Sequence, residues 1–321
     1  MRMIQTATAV AILAGACGAA AQNYPLKPIR LIVPSTPGGS VDTLARAVGT
    51  QMSQRWLQQV VIDNRSGAGG IIAAEATAKS APDGYTLIMA TVASIATNVS
   101  LVRNLPYDPV RDFTPVSLVA TQQLMLLVHP GIAAKSVAEL TQLAKANPGK
   151  LTFASAGSGT GSHLSGELYK MLAGINLVHV PYKGVGPSFA DMLSGRISMG
   201  FTSVLSGTSH YKAGKMRGLA VTGVNHSVVA PELPTMAEAG VAGYEASTWY
   251  GVLGPRGLPH PLLTKINAEV VAILRIPEVK DRIVSEGAEP IGSSPEEFGE
   301  FIKAEIAKWA RVIKAAGISP E

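Results

Sequence analysis

The stretch IRLIVPSTPGGS, residues 29–40, decides the fold class, because it is typical of a buried strand that runs straight into a glycine loop. Residues 29–33 form a short apolar run between two prolines. After the loop, apolar residues recur at helical spacing, at Val41, Leu44, Ala45, Val48 and Met52. Ser40 is expected to cap this helix, and Asp42 to lie in its first turn near the positive end of the helix dipole. The unit is strand, glycine loop and helix.

The same unit recurs in the second half of the chain. Residues 151–154 (LTFA) predict a strand, residues 155–161 (SAGSGTG) a glycine loop, and the apolar residues from 164 to 172 a helix face. Further strands are predicted at 60–63, 85–90, 177–180, 197–202 and 216–222, with a buried extended segment at 113–128. Helices are predicted at 71–79, 137–146 and 187–193. Residues 262–316 are predicted to be mainly helical, with a break at Pro277 and a new helix start at Ser294, where Ser294 and Glu297 fit a capping box. This alternation favours an α/β fold, with a parallel sheet and helices on both faces.

Composition excludes several classes of protein. The chain has 321 residues, of which 47% are hydrophobic and 15% charged, so it is long enough for about two packed domains and is not disordered. The net charge of +5 comes from scattered basic residues, which argues against nucleic acid and favours a small partner. After residue 22, no apolar run approaches the roughly 18 residues that cross a bilayer.

The first 21 residues are typical of a cleaved secretory signal peptide. Arg2 precedes an apolar stretch at 9–16, and Ala19-Ala20-Ala21 is an A-x-A cleavage pattern. Lipidation at Cys17 is the alternative, although Ala14 stands where such leaders usually have a large aliphatic residue. Cleavage after Ala21 leaves 300 of the 321 residues and removes the single cysteine, so we expect an exported protein without disulfides.

The two glycine loops indicate an anion site. Each precedes a helix, and the free N–H groups at a helix start attract anions such as a carboxylate. The alternative is that these loops are only tight turns, which α/β folds often contain. Neither loop is typical of nucleotide binding, because G-x-x-x-x-G-K-[ST] does not occur and Ser162 stands where G-x-G-x-x-G requires a third glycine.

Catalytic and metal-binding patterns are weak. The six histidines include no H-E-x-x-H and no pair at metal-ligand spacing, so neither a metal nor another cofactor is predicted. No G-x-S-x-G elbow occurs. His163 lies among several serines, which leaves a secreted serine hydrolase as an alternative, but a histidine in the first turn of a helix resists protonation.

Two further motifs each allow two interpretations from the sequence. Lys183 follows a predicted strand, and it is equally typical of a counter-charge for a ligand and of an ordinary solvated lysine. Trp249 and Tyr250 fit either a cleft wall or the core, and the core is favoured.

Several ordered motifs carry a family resemblance. They are PSTPGGSVD (34–42), NRSGAGG (64–70), PDGYTL (82–87), PYDP (106–109), GSGT (157–160) with His163-Leu164, HVPYKG (179–184) and PTMAEAG (234–240). In this order they resemble the Bug-type solute receptors of tripartite tricarboxylate transporters. The resemblance runs from about Tyr24 to the C-terminus, with small departures such as Ser66, where the family often has proline.

The resemblance implies a periplasmic binding protein, in which two α/β domains joined by a hinge of crossing strands close on a small carboxylated solute. The implied limits are 22–123 and 236–321 for the first domain and 124–235 for the second, after a signal peptide at 1–21. The implied ligand contacts lie in both domains: Ser35, Pro37, Gly38, Gly39, Asp42, Thr91 and Ser94 in the first, and Ser155, Gly157, Gly159, Thr160, His163, Lys183 and Ser203 in the second. Asp42 is expected to order its loop rather than to touch an anion.

The resemblance also implies the partners. We expect a monomer that delivers its solute to the membrane permease subunits of the transporter and binds no nucleic acid. A binding protein that serves a sensor is a further alternative. Amino acids, nicotinate-like aromatic acids and aliphatic dicarboxylates all remain candidate solutes.

Overall fold

The computed structural model describes residues 24–157, 159–182 and 185–320. The predicted signal peptide with Cys17, and Lys183 of the predicted site, lie outside the described residues. Of the described helices, none has both the length and the apolar character that crossing a membrane requires.

The chain begins with three βα units, as predicted. In chain order the elements are β1 (Ile29–Val33), α1 (Ser40–Trp56), β2 (Val60–Asn64), α2 (Ile71–Ala78), β3 (Thr86–Thr91), α3 (Asn98–Leu101) and the long strand β4 (Phe113–Val128). A π-helical turn, Ala93–Thr97, joins β3 to α3. The three short strands are parallel in the order β2-β1-β3, and β1 is buried along almost its whole length because helices cover both faces.

The second half repeats this pattern and then returns. Its elements are α4 (Val137–Ala146), β5 (Thr152–Ser155), α5 (Gly161–Ala173), β6 (Val178–Pro181), α6 (Val185–Leu193), β7 (Met199–Ser203), α7 (Val204–Lys212) and β8 (Arg217–Val221). The returning segment holds β9 (Ser247–Pro255), α8 (His260–Leu274), α9 (Pro277–Ser285), β10 (Ala288–Pro290) and α10 (Pro295–Ala315).

Strand β4 belongs to both halves. Its residues from Phe113 to Gln123 pair with β9, whereas Leu124–Val128 pair with β7, and Met125–Val128 also with β8. The strand order is β2-β1-β3-β9-β4-β7-β5-β6, with β8 and β10 also paired to β4. The change of partner between Gln123 and Leu124 therefore marks the passage from one group of strands to the other.

The α/β class and most elements are confirmed, but the expectation of a parallel sheet is wrong at the centre. Strand β9 is antiparallel to β3 and β4, and β4 is antiparallel to β7 and β8. Strand β9 was not predicted, because glycines interrupt its apolar run. One of them, Gly251, is required by packing: a β-carbon there would lie 2.2 Å from the ring of Phe298 on α10. Trp249 and Tyr250 are buried in the core, as favoured.

Two predicted helix caps have different outcomes. Ser40 is not the cap of α1 but its first residue, and Gly39 occupies the cap position without a side-chain hydrogen bond. The Ser294–Glu297 pair forms a capping box at the start of α10: the Glu297 amide donates to Ser294 Oγ over 3.1 Å, and the Ser294 amide donates to Glu297 Oε2 over 2.9 Å.

A buried ionic cluster ties the start of β9 to α10. The indole N–H groups of Trp249 and Trp309 both donate to Glu305 Oε2, over 3.1 and 2.9 Å. Lys308 pairs with Glu305 and with Glu245, which lies two residues before β9. Burial raises the pKa of the Glu305 carboxyl, although Lys308 acts against that rise.

Candidate functional site

Three loops of the first half meet at the carboxyl ends of β1, β2 and β3. Gly70 lies between the other two loops: a β-carbon there would come within 2.9 Å of Ser94 Cβ and 3.0 Å of Pro34 Cβ. Parallel strands bring the loops that follow them to one edge of the sheet. The predicted residues on the first and third loops are therefore brought together.

Asp42 holds the first loop in place. Its carboxylate accepts hydrogen bonds from the Gly38 amide, Arg46 Nε and Asn64 Nδ2, each over 2.9 Å. Burial on its own would raise the pKa of Asp42, but the hydrogen bonds from Arg46, Gly38 and Asn64 outweigh burial and hold the pKa below its usual value. The side chain is almost completely buried, and its hydrogen bonds to Gly38 and Asn64 order the loop.

The tip of the first loop faces solvent. Pro37, Gly38 and Gly39 are exposed, and Ser35 is half-buried with its hydroxyl donating to the Thr36 carbonyl over 3.0 Å. Because Gly39 has no side chain to cap α1, the first amide groups of this helix are presented next to the exposed glycines.

Thr91 and Ser94 form a tight turn after β3. The Thr91 amide donates to Ser94 Oγ over 3.0 Å, and the Ser94 hydroxyl donates to the Thr91 carbonyl over 3.1 Å. Ser94 is completely buried, and its own carbonyl accepts a hydrogen bond from the Tyr107 hydroxyl. Ser94 therefore shapes the turn, while Thr91 remains half-buried at the loop edge.

The second glycine loop is held by its own hydroxyl groups. Thr160 caps α5 by accepting from the His163 amide over 3.4 Å, and its hydroxyl donates to the Gly157 carbonyl over 2.7 Å. The Ala156 amide donates to Ser162 Oγ over 3.0 Å. Gly157 lies close to the next loop, since a β-carbon on it would come within 3.3 Å of the Tyr182 carbonyl oxygen.

Two stacked histidines, His163 and His179, lie next to this loop. The ring centroids of His163 and His179 lie 3.8 Å apart, and Phe153 also stacks on His179, with its ring centroid at 4.8 Å. The Gly159 amide donates to His163 Nδ1 over 3.0 Å, which places the ring proton on Nε2. Burial lowers the pKa of both histidines to about 4, and repulsion from His179 and Lys170 further disfavours the protonated form of His163. Both rings are therefore neutral at physiological pH.

A cavity of about 220 Å³ opens beside the second loop. It lies where the starts of α5 and α7 approach each other, so it brings Ser203 to the same place as Thr160. Its lining consists of hydroxyl-bearing, small and apolar residues, namely Leu124, Ala154, Ala156, Thr160, Gly161, Ser162, Ser188, Met192, Phe201, Thr202, Ser203 and Thr248.

The structure thus assembles two groups of the predicted residues, one on each half. Gly159 of the second loop lies against Leu101 on α3 of the first half. His179, Thr202 and Leu101 were not predicted as site residues. The motif containing His179 was visible in the sequence, but its pairing with Phe153 between β5 and β6 depends on the strand register.

The geometry around the serines does not favour the hydrolase alternative. Ser155 Oγ lies 2.6 Å from His179 Nε2, so a serine–histidine pair exists, but Ser155 is buried and its hydroxyl also contacts the Gly157 amide and carbonyl. A histidine with a pKa of about 4 is a weak general base at neutral pH. His163 is directed to Gly159 through Nδ1 and lies 3.7 Å from Glu167 through Nε2.

Comparison with known proteins agrees with a binding site rather than a catalytic one. Residues 44–318 match the model of the tripartite tricarboxylate transporter family receptor. The chain is 35% identical to Protein BugT of Bordetella pertussis over 322 residues, which is 99% of both chains. The chain belongs to this receptor family, and it is a solute-binding receptor of a tripartite transporter rather than an enzyme.

Solved structures extend the comparison to the whole fold. R. palustris Rpa4515 with adipate is 40% identical with a TM-score of 0.78, covering 93% of this chain and 100% of that one. MatC (Rpa3494) from Rhodopseudomonas palustris with bound malate is 30% identical with a TM-score of 0.73, covering 90% and 100%. The fold is that of the periplasmic binding proteins, with a cleft between two α/β halves, and receptors of this family are periplasmic.

Proposed function

We propose that this receptor binds a small carboxylate in the cleft between the loop at Gly38–Gly39 and the loop at Gly157–Thr160. The observation that carries the proposal is that helices α1 and α5 both begin at glycine loops on opposite halves, and that Leu101 brings the second loop into contact with the first half. Helix starts supply N–H donors and positive potential, so each loop is suited to an oxyanion. Of the predicted contacts, Asp42, Ser94 and His163 act by shaping these loops.

The ligand class follows from the two helix starts and from the relatives. Two of the similar structures are named with adipate and with bound malate, acids that each carry two carboxylates. A linear dicarboxylate would place one carboxylate at each loop, and this is the class we propose first. Amino acids and nicotinate belong in the same screen because one carboxylate would still satisfy one of the two loops.

The hinge is proposed at two chain crossings. Strand β4 changes partners between Gln123 and Leu124, which supports a first crossing there. The second is placed between Ala246 and Ser247, because the Met236 and Ala246 amides still donate to Val221 and Thr222 before β9 joins the other strands. We therefore propose that the return to the first domain lies at 247 rather than at 236, so that the first domain consists of residues 22–123 and 247–321 and the second of residues 124–246.

The partners and the route of export complete the proposal. The receptor acts as a monomer, binds no nucleic acid, and delivers its ligand to the membrane permease subunits after a signal peptide has been removed behind Ala21. The net charge is +5, and the basic residues are scattered along the sequence rather than clustered. This distribution supports the absence of nucleic-acid binding.

A thermal-shift screen followed by calorimetry tests the proposal. Mature protein is mixed with succinate, malate, adipate, glutamate and nicotinate, and with the diamide of adipate as the neutral control. At least one acid is expected to raise the melting temperature, and the diamide to have no effect. If none of the acids binds, or if adipate and its diamide bind equally well, the carboxylate assignment is wrong.

A further inference from the structure

The floor of the cavity beside the second loop has a feature that the predicted site leaves unused. Thr202, on β7, lines the cavity together with Gly161 and Ser162 at the start of α5 and Ser203 at the start of α7. Thr202 is only 4% exposed, and its hydroxyl has no hydrogen-bond partner among the described residues. Buried polar groups are nearly always paired, so an unpaired one needs an explanation.

Two of the neighbouring hydroxyls, those of Thr160 and Ser203, are already engaged. Thr160 donates its proton to the Gly157 carbonyl over 2.7 Å, and Ser203 donates to Ser206 Oγ over 2.8 Å. Thr202 differs from both, because its proton has no acceptor within the described chain. A ligand atom that accepts a hydrogen bond would supply what this side chain lacks.

The surroundings of Thr202 allow its hydroxyl to turn toward a ligand. A β-carbon on Gly207 of α7 would lie 3.1 Å from the Thr202 methyl group, so the methyl is directed toward that helix. Rotation about the Cα–Cβ bond moves the hydroxyl between staggered positions without moving the strand. In the described conformation the Thr202 oxygen is buried, so such a rotation is the step by which it would reach an acceptor in the cavity.

The chemistry of the lining limits what that acceptor is. None of the described lining residues carries a formal charge, and Leu124, Met192 and Phe201 provide apolar walls. At the start of α5, the Thr160 side chain accepts a hydrogen bond from the His163 amide. The Gly161 and Ser162 amides lie between these two residues, in the first turn of the helix. Two helix starts and one unpaired hydroxyl together suit an anionic oxygen group at the end of an aliphatic chain.

We propose that Thr202 is a specificity-determining residue, whose hydroxyl donates to the ligand's second, buried carboxylate and thereby selects dicarboxylates over monocarboxylates of equal length. This inference rests on the proposed function, because it concerns the same cleft. It assigns the end of the ligand distant from Gly38 to the cavity between the starts of α5 and α7.

The test compares Thr202→Val, which keeps the shape of the side chain and removes only the hydroxyl, with Thr202→Ser, which keeps the hydroxyl. The probe is whichever of succinate, malate and adipate binds the parent protein most tightly, paired with the monocarboxylate of the same chain length. Thr202→Val is expected to weaken dicarboxylate binding about 10- to 100-fold, the usual effect of losing a hydrogen bond to a charged group. The preference of Thr202→Val for the dicarboxylate over the monocarboxylate should fall by the same factor. The dicarboxylate affinity of Thr202→Ser should stay within about threefold of that of the parent.

Thr97→Val is the matched control. Thr97 lies in the π-helical turn of the first half, is 1% exposed, and also has a hydroxyl with no partner among the described residues. Both valine variants are expected to melt no lower than the parent, because each removes an unpaired buried hydroxyl. Only Thr202→Val should alter binding.

The outcomes separate the two proposals. A parent that binds none of the dicarboxylates contradicts the proposed function, and this inference falls with it. A parent that binds a dicarboxylate, with Thr202→Val binding it equally well or keeping the full preference over the monocarboxylate, contradicts the role of Thr202 alone. An equal loss of affinity in Thr97→Val would also overturn it, since the effect would then come from buried hydroxyls in general.

Discussion

Leu101 of the first half and Gly159 of the second half lie against each other: a β-carbon on Gly159 would lie 2.9 Å from Leu101 Cδ1. Leu101 ends α3 in the first half, whereas Gly159 lies in the glycine loop before α5 in the second. Gly159 also has φ +75°, a conformation that residues other than glycine rarely adopt. The contact therefore depends on glycine for two independent reasons.

The first prediction concerns the two glycine loops. Gly159→Val is expected to abolish ligand binding while the protein remains folded, because valine collides with Leu101 and does not tolerate the backbone conformation. Gly39→Val should also abolish binding, by blocking approach to the start of α1. Circular dichroism and calorimetry with the identified acid measure fold and affinity.

Gly257→Val is the control for backbone strain. Gly257 has φ +83° and is exposed, and a β-carbon added to it would have no atom of a non-adjacent described residue within 4 Å. Gly257→Val should lose stability as Gly159→Val does, but it should bind the identified acid with the affinity of the parent. Parent-like binding by both Gly159→Val and Gly39→Val would exclude the two-loop site.

The second prediction concerns Asp42. Asp42→Asn leaves only one acceptor oxygen for the donors on Gly38, Arg46 and Asn64, so we expect a loss of about 1 to 3 kcal/mol of stability and at least tenfold weaker binding. Urea denaturation and calorimetry at pH 7 measure the two effects. The exposed Asp281→Asn on α9 is the control. Unchanged affinity in Asp42→Asn would show that the loop does not need this carboxylate.

The third prediction concerns the pH dependence of stability. His163 and His179 have a pKa of about 4 in the folded protein and about 6.5 when unfolded. Between these values the unfolded chain binds more protons, so the free energy of unfolding should fall as the pH decreases from 7 to 5. Urea denaturation at the two pH values measures the change.

Single histidine variants identify the source of that change. His179→Asn should lose less stability between pH 7 and 5 than the parent does, because one buried histidine no longer titrates. His260→Asn, at an exposed helix start, should behave as the parent. A parent whose stability is the same at both pH values would contradict the neutral, stacked arrangement.

The fourth prediction concerns closure. If one ligand touches both halves, the bound protein should be more compact, and ligand at about one hundred times its dissociation constant should add roughly 2.7 kcal/mol of stability. Small-angle scattering with and without saturating ligand measures the radius of gyration. An unchanged radius would reject closure without rejecting binding.

The fifth prediction concerns export. Intact-mass analysis of protein isolated from the periplasm should give the mass of a chain beginning at Gln22. A mass that corresponds to lipidated Cys17, or to the complete chain, would refute cleavage after Ala21.

The sequence predicted the fold wherever a local signal was sufficient. The apolar run at 113–128 matches β4 residue for residue, and the Ser294–Glu297 pattern marks the start of α10. Strand direction was not predictable in this way, because β9 pairs with β3 and β4 through contacts more than a hundred residues apart in the chain.

The sequence predicts two loops for the site, but it does not predict what each residue of those loops does. The Gly38 and Gly159 motifs are local, so the sequence alone is sufficient to predict them. The stacking of His163 on His179 and the free hydroxyl of Thr202 arise only when β5, β6 and β7 lie side by side. Such relationships depend on strand register, which the spacing of residues along the chain does not encode.

The sharing of β4 has a consequence for how this molecule can be divided. The strand runs for sixteen residues and supplies pairing partners to β9 and β10 with one part and to β7 and β8 with the other. Dividing the gene between codons 123 and 124 would give two products, each with an unpaired sheet edge in the middle of its core. Neither half is thus a portable module, and grafting this pocket onto another protein would require transplanting both lobes together.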